Sequence, residues 1–150
     1  MATHFVIIGG GPAGNTAATH AARLGARVTL IETDIVGGAA HLRDCIPSKT
    51  MIATGGAISF ARRFPGMGLE QIEPHLDLAA QRDRIAHIQT HLHNSIVQLL
   101  TSQGVRIIRG VGRLKGPHEV VAETDDGIVE LSADAILLST GSRPRIPEWA

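Results

Sequence analysis

Apolar residues along this chain fall into two rhythms, and their alternation predicts the fold. Residues 4–8 form a short, partly β-branched run that ends in Gly9-Gly10-Gly11-Pro12-Ala13-Gly14, and an Ala-rich stretch follows over residues 15–24. A strand, a glycine turn and a helix are expected. Gly25 stops the helix, and residues 26–32 supply a second apolar strand, so a βαβ unit with parallel strands closes within about 30 residues. The handedness of such crossovers sets the glycine turn at the carboxyl edge of the first strand.

Beyond Glu32 the period lengthens. Gly37-Gly38 precede a helix expected over residues 47–63, weakened in its middle by Gly55-Gly56. Residues 64–68 read as a loop. Over residues 74–103 a polar helix carries Ile85, Ile88, Leu92, Ile96 and Leu99 at three- and four-residue steps, a stripe that should face the rest of the domain. Residues 105–109 form a strand, 118–123 and 128–131 a hairpin across Asp125-Asp126-Gly127, and 135–139 a last apolar strand before a proline-containing exit.

With 43% hydrophobic residues in 150, one domain with a sizeable core is expected. Lys plus Arg and Asp plus Glu number 14 each, which leaves no electrostatic footprint for nucleic acid or an anionic membrane. No apolar run approaches the roughly 18 residues needed to cross a bilayer, and no signal pattern opens the chain, so a cytoplasmic protein without a membrane span is expected. Cys45 is the single cysteine, which excludes a disulfide or a dithiol pair within the chain. Seventeen glycines beside three Phe, one Trp and no Tyr imply an aliphatic core and close backbone approaches.

Gly9-x-Gly11-x-x-Gly14 lies between strand and helix, the context in which this spacing binds a dinucleotide. Gly9 permits the tight turn, Gly11 lets main chain approach a pyrophosphate, and Gly14 lets helix and strand pack closely. Free N–H groups and the positive end of the helix dipole then favour the diphosphate. Glu32 falls 21 residues after Gly11, where a carboxylate accepts hydrogen bonds from an adenosine ribose and repels a 2′-phosphate, which suits FAD or NAD over NADP. The opposing reading is a glycine turn that holds nothing, with Glu32 a solvated strand end. His87 and His91 lie four apart on one face of a predicted helix, with His93 close by, but no HExxH pattern and no evident third ligand accompany the pair, so no metal is expected.

Taken together, Gly9 to Gly14, Gly37-Gly38, Cys45-Ile46-Pro47-Ser48-Lys49, Gly110-Val111-Gly112 and Thr140-Gly141-Ser142-x-Pro144 resemble the pyridine nucleotide-disulfide oxidoreductase family of flavoproteins, in order and across the whole chain. The resemblance implies an α/β fold: a Rossmann-like FAD-binding domain with a parallel sheet, flanking helices and a small antiparallel β-meander. It also implies that Gly9, Gly11, Pro12, Ala13, Gly14 and Glu32 hold the ADP half of FAD. Gly38 and Ser48 would lie along the diphosphate and ribityl, Val111 would meet the adenine, and Thr140 and Gly141 would close the adenosine end. Lys49 would approach the reactive flavin nitrogen, where a fixed ammonium stabilises the negative charge of the reduced ring.

Departures from the family pattern refine this reading. Disulfide reductases of the family carry CxxxxC, and here Ala40 stands at the first of those positions, leaving only Cys45. Thiol–disulfide exchange needs an attacking thiolate and a resolving partner, so the dithiol relay is excluded. The pattern is more similar to the family's NAD(P)H quinone reductase branch, in which electrons leave directly from the flavin. Soluble transhydrogenase, a dihydrolipoamide dehydrogenase-like protein and a non-catalytic nucleotide-binding remnant are the alternatives. Cys45 either touches the flavin as a reactive thiol or is buried as inert packing. Ala39 replaces a threonine of disulfide-forming relatives, at a cost of about 1 kcal/mol in one lost hydrogen bond. The resemblance further implies that residues 1–150 are an incomplete, truncated FAD-binding domain. An NAD(P)-binding domain and a C-terminal dimerisation domain would lie outside it. The parent would be a homodimeric oxidoreductase that passes electrons from NAD(P)H to a quinone-like acceptor, and the 150 residues alone would show weak or no flavin retention and no turnover.

Overall fold

A computed structural model describes residues 2–143 and 145–149. In chain order it contains β1 (His4–Ile8), α1 (Pro12–Arg23), β2 (Arg27–Glu32), α2 (Ile46–Ala61), α3 (Leu78–Ser102), β3 (Arg106–Arg109), β4 (Val111–Gly116), β5 (Glu119–Thr124), β6 (Gly127–Ser132) and β7 (Ala135–Leu138). A parallel sheet has the order β3-β2-β1-β7, and a separate antiparallel sheet the order β4-β5-β6. β1 is central, with Val6 opposite Thr29 of β2 and Ile136 of β7. The expected α/β architecture is present.

Both faces of the parallel sheet are covered, which is why its strands are apolar between their ends, with Thr29 of β2 the exception. Ile7, Val28 and Leu30 face α1 and α3 and pack with Ala18, Leu100 and Val105. Val6, Ile8, Ile31 and Ile108 face the other way, onto Val120, Ala122 and Leu131 of the meander. The strand period of two thus feeds two cores. Gly25, at φ +85°, ends α1. The N–H of Ala26 returns to Ala21 O at 3.1 Å and that of Gly25 to Ala22 O at 3.0 Å, so the chain reverses directly into β2.

Five expectations change in detail. The meander has three strands instead of a hairpin: β4, whose sequence VGRLKG lacks clean alternation, pairs with β5 and is irregular between Leu114 and Gly116. α2 begins at Ile46 and is preceded by a π turn, Ala40–Cys45, and a single 3-10 turn, Phe64–Met67, occupies the predicted loop. α3 starts at Leu78 because Asp77 caps it, its carboxylate accepting the Ala80 N–H at 3.0 Å. Leu99 is 51% exposed and Leu100 is fully buried, since the four-residue step from Leu92 through Ile96 lands on position 100.

At the amino-terminal edge of the sheet, buried His4 ties three elements together. Its main-chain N–H donates to Asp134 Oδ2 at 2.7 Å, Nε2 meets Thr29 Oγ1 at 2.9 Å, and Nδ1 bonds Ser132 O. His4→Ala strands Thr29 and the Ser132 carbonyl, so a loss of about 2 kcal/mol is expected in chemical denaturation. The opposite, carboxyl edge of the sheet should be unaffected.

α2 has a different character. It is apolar on nearly all sides, yet Met51, Ile52 and Phe60 are exposed, and Thr50 is its only buried residue.

Candidate functional site

The carboxyl ends of β1, β2 and β7 meet at the glycine turn, as the βαβ pattern requires. Gly9 sits at φ +108°, and a Cβ there would stand 2.2 Å from Ser139 O. At Gly14 a Cβ would stand 1.9 Å from Gly9 O, so α1 rests directly on the turn. Gly11 is different: its nearest neighbour is Gly38 Cα at 3.8 Å, and its Cβ side opens into a groove. Pro12 has no N–H, and the first α-helical bond runs from Asn15 N–H to Gly11 O at 2.9 Å. The N–H groups of Ala13 and Gly14 therefore precede that bond, at the positive end of α1.

Glu32 ends β2 with its carboxylate held by two amides. Oε2 accepts the Gly10 N–H at 2.6 Å and Oε1 the Asp34 N–H at 2.7 Å. The acid thus fixes the glycine turn and the strand exit together, each oxygen keeps a further acceptor lone pair, and Glu32 lines the groove. Asp34 also pairs with Arg43 at 2.6 Å, which links this exit to the π turn.

The groove encloses about 270 Å³, with Gly11, Pro12, Ala13, Gly38, Thr140 and Gly141 in its walls. It adjoins a recess of about 120 Å³ among Gly9, Ile31 and Val111, and Glu32, Thr33 and Thr140 belong to both. Gly9, Gly11, Pro12, Ala13, Glu32, Gly38, Val111, Thr140 and Gly141 are therefore brought together, with Gly14 packed beneath them. Cys45, Ser48 and Lys49 are not part of these walls. All three are exposed around the start of α2, where Ser48 Oγ donates to Cys45 O at 3.1 Å. The expectation of Cys45 as buried packing is thus corrected: the thiol faces solvent. Pro144 of the last motif lies outside the described residues.

Sequence reasoning missed several supports. Ser139 Oγ donates to Gly9 O at 2.8 Å, closing β7 onto the turn. Gly112 admits Ile8, since a Cβ there would stand 2.8 Å from Ile8 Cγ2. Gln89 and His93 of α3 bond Leu42 O at 2.7 Å and Val36 O at 3.0 Å. None of these has a local signature, because each depends on contacts distant in sequence. His87 and His91 stack at 6.5 Å between ring centroids, but among the described residues no three His, Cys, Asp or Glu side chains gather to hold a metal. No helix among them is long and apolar enough to cross a membrane.

Comparison with known proteins agrees with this geometry. The family model for pyridine nucleotide-disulphide oxidoreductases matches residues 3–150. The chain belongs to this family. It is 38% identical to an NAD(P)H dehydrogenase (quinone) of Mycobacterium tuberculosis, covering 97% of this chain and 32% of the relative. It is 34% identical to a dihydrolipoyl dehydrogenase of Zymomonas mobilis, with the same coverage. Among solved structures, LpdA from Mycobacterium tuberculosis superposes with a TM-score of 0.86 at 37% identity, over 97% of this chain and 33% of that one. The HOCl-induced flavoprotein disulfide reductase RclA of Escherichia coli superposes at 0.76 with 26% identity, over 97% and 29%. The chain thus spans about a third of the length of these relatives. Family membership makes it part of an FAD-dependent oxidoreductase lineage.

Proposed function

We propose that the groove holds the ADP half of FAD, within an enzyme that carries electrons from NAD(P)H to a quinone-like acceptor. The observation that carries this reading is the pairing of an open Gly11 with the unbonded helix-start amides and the anchored Glu32. A dianionic diphosphate fits the amides, and a ribose diol fits the free acceptor directions of the carboxylate. In this arrangement Gly9 and Gly14 shape the turn, while Ala13 and Gly14 donate N–H groups beside Pro12. Val111 borders the adenine, Thr140 and Gly141 close over the adenosine, and Gly38 and Ser48 follow the diphosphate and ribityl. Lys49, exposed near the start of α2, would supply an ammonium to the ring, and Cys45 would stand near it as a lone thiol.

When bound, FAD supplies two-electron transfer between a nicotinamide and the acceptor. In this reading residues 1–150 are the amino-terminal part of the FAD-binding domain, and the nicotinamide-binding and dimerisation regions would lie outside them; the chain spans 32% of the quinone dehydrogenase it matches. Ala40 separates the quinone-reductase reading from the dihydrolipoyl dehydrogenase one, because Cys45 has no partner thiol.

FAD titrated into the chain should lose fluorescence on binding, weakly for these 150 residues alone. A polypeptide that joins this chain to the nicotinamide-binding region of such relatives should oxidise NADH with menadione and leave lipoamide unreduced. Lipoamide reduction at comparable turnover would overturn the acceptor assignment, and absence of flavin from the joined polypeptide would overturn the groove assignment.

A further inference from the structure

The wall of the groove opposite the glycine turn runs from Val36 through Gly37-Gly38 into the π turn, and its backbone contains an unusual orphan. In the π register the Ile46 N–H reaches back five residues to His41 O. The next carbonyl, Leu42 O, would take the N–H of residue 47, but that residue is Pro47, which has none. The α-type alternative is also closed, since the Ile46 N–H is committed to His41. Leu42 is fully buried, so water cannot easily take the place of the missing donor.

Gln89 fills the gap from α3, its Nε2 donating to Leu42 O at 2.7 Å. One helical turn further on, His93 Nδ1 bonds Val36 O at 3.0 Å, at the other end of the same wall. Between these two anchors lie Gly38, whose Cα edge is the nearest neighbour of Gly11, and Ala39 and Ala40, which line the groove. We infer that Gln89 is a positioning residue for the nucleotide site: it substitutes for the hydrogen bond that Pro47 denies to the π turn and so holds the Gly38–Ala40 wall against the glycine turn. The effect on flavin rests on the proposed FAD site, whereas the effect on the π turn does not.

The origin of the orphan supplies the test. Gln89→Leu, which keeps bulk and removes the donor, should weaken FAD binding by this chain about tenfold in a fluorescence titration. It should also speed hydrogen exchange of the amides in residues 42–46. Pro47→Ala restores a backbone N–H that can reach Leu42 O in the π register and so gives that carbonyl a main-chain partner. In the Gln89→Leu/Pro47→Ala double variant, exchange protection and affinity should therefore both recover, a rescue that simple loss of packing would not show. Unchanged exchange in Gln89→Leu, or failure of Pro47→Ala to restore protection, would overturn the inference. If the unaltered chain binds no FAD but the exchange pattern follows this order, the groove assignment fails and the role of Gln89 in the π turn stands.

Discussion

Gly14→Ala is expected to abolish measurable FAD binding and to destabilise the chain by about 3 kcal/mol, lowering Tm by about 10 °C. The reason is steric. The new Cβ would stand 1.9 Å from Gly9 O, and ordinary contact begins near 3.4 Å, so helix and turn must separate by about 1.5 Å (3.4 less 1.9). No flexible side chain can yield, because the obstacle is a carbonyl that already accepts the Ser139 hydroxyl. The displacement lifts the helix-start amides out of line with the groove, so affinity falls beyond what lost stability alone explains. Gly25→Ala is the control. Its φ of +85° costs a side chain about 1 kcal/mol, but nothing lies within 4 Å and the groove is remote, so flavin affinity should hold. Equal losses of affinity in the two variants would argue against a cradle built on Gly14.

Glu32→Ala should be nearly as damaging, and for a chemical reason. The carboxylate accepts two main-chain N–H groups, from Gly10 and Asp34, and charge-assisted bonds of this kind contribute about 1.5–3 kcal/mol each. Removing it frees the middle of the glycine turn and the exit of β2 at once. A loss of about 3 kcal/mol is expected in urea unfolding, accompanied by a loss of affinity for adenine dinucleotides. Glu32→Gln retains one carbonyl oxygen but turns an NH2 toward the second amide, so it should fall between wild type and Glu32→Ala in both measurements. An Ala variant as stable as wild type would show that the two amides find other partners and that the acid acts on ligand alone.

The elements set by local pattern were legible. The run before Gly9, the Ala-rich helix, Gly25 and the apolar strand to Glu32 predict the βαβ core because propensity, turn chemistry and burial agree there. That the glycine turn and Glu32 meet at the carboxyl edge of the sheet was legible for the same reason, though not the carboxylate's bonds to Gly10 and Asp34, which depend on how the strand exit curls. β4 escaped because two glycines and two basic residues break its alternation, and it is held by pairing with β5. Leu99 and Leu100 were confused because a three-residue and a four-residue step from Ile96 both reach a leucine, and burial follows the four-residue step. The π turn was hidden for a subtler cause: Pro47 suggests a helix start, and here it does lie in the first turn of α2, but the preceding six residues continue into it in another register.

α2 bears on Ser48 and Lys49. The molecule exposes 10328 Å² of surface, where a close-packed protein of 15.8 kDa exposes about 7,300 Å², a surplus of about 3,000 Å². Met51, Ile52 and Phe60 of α2 belong to that surplus. A sixteen-residue helix with two central glycines, little buried surface and no side-chain cap draws little of its order from tertiary packing. Its coil–helix balance therefore governs how firmly the ammonium and hydroxyl near its start are aimed, and any surface that comes to cover its apolar flank would sharpen their aim without touching either group.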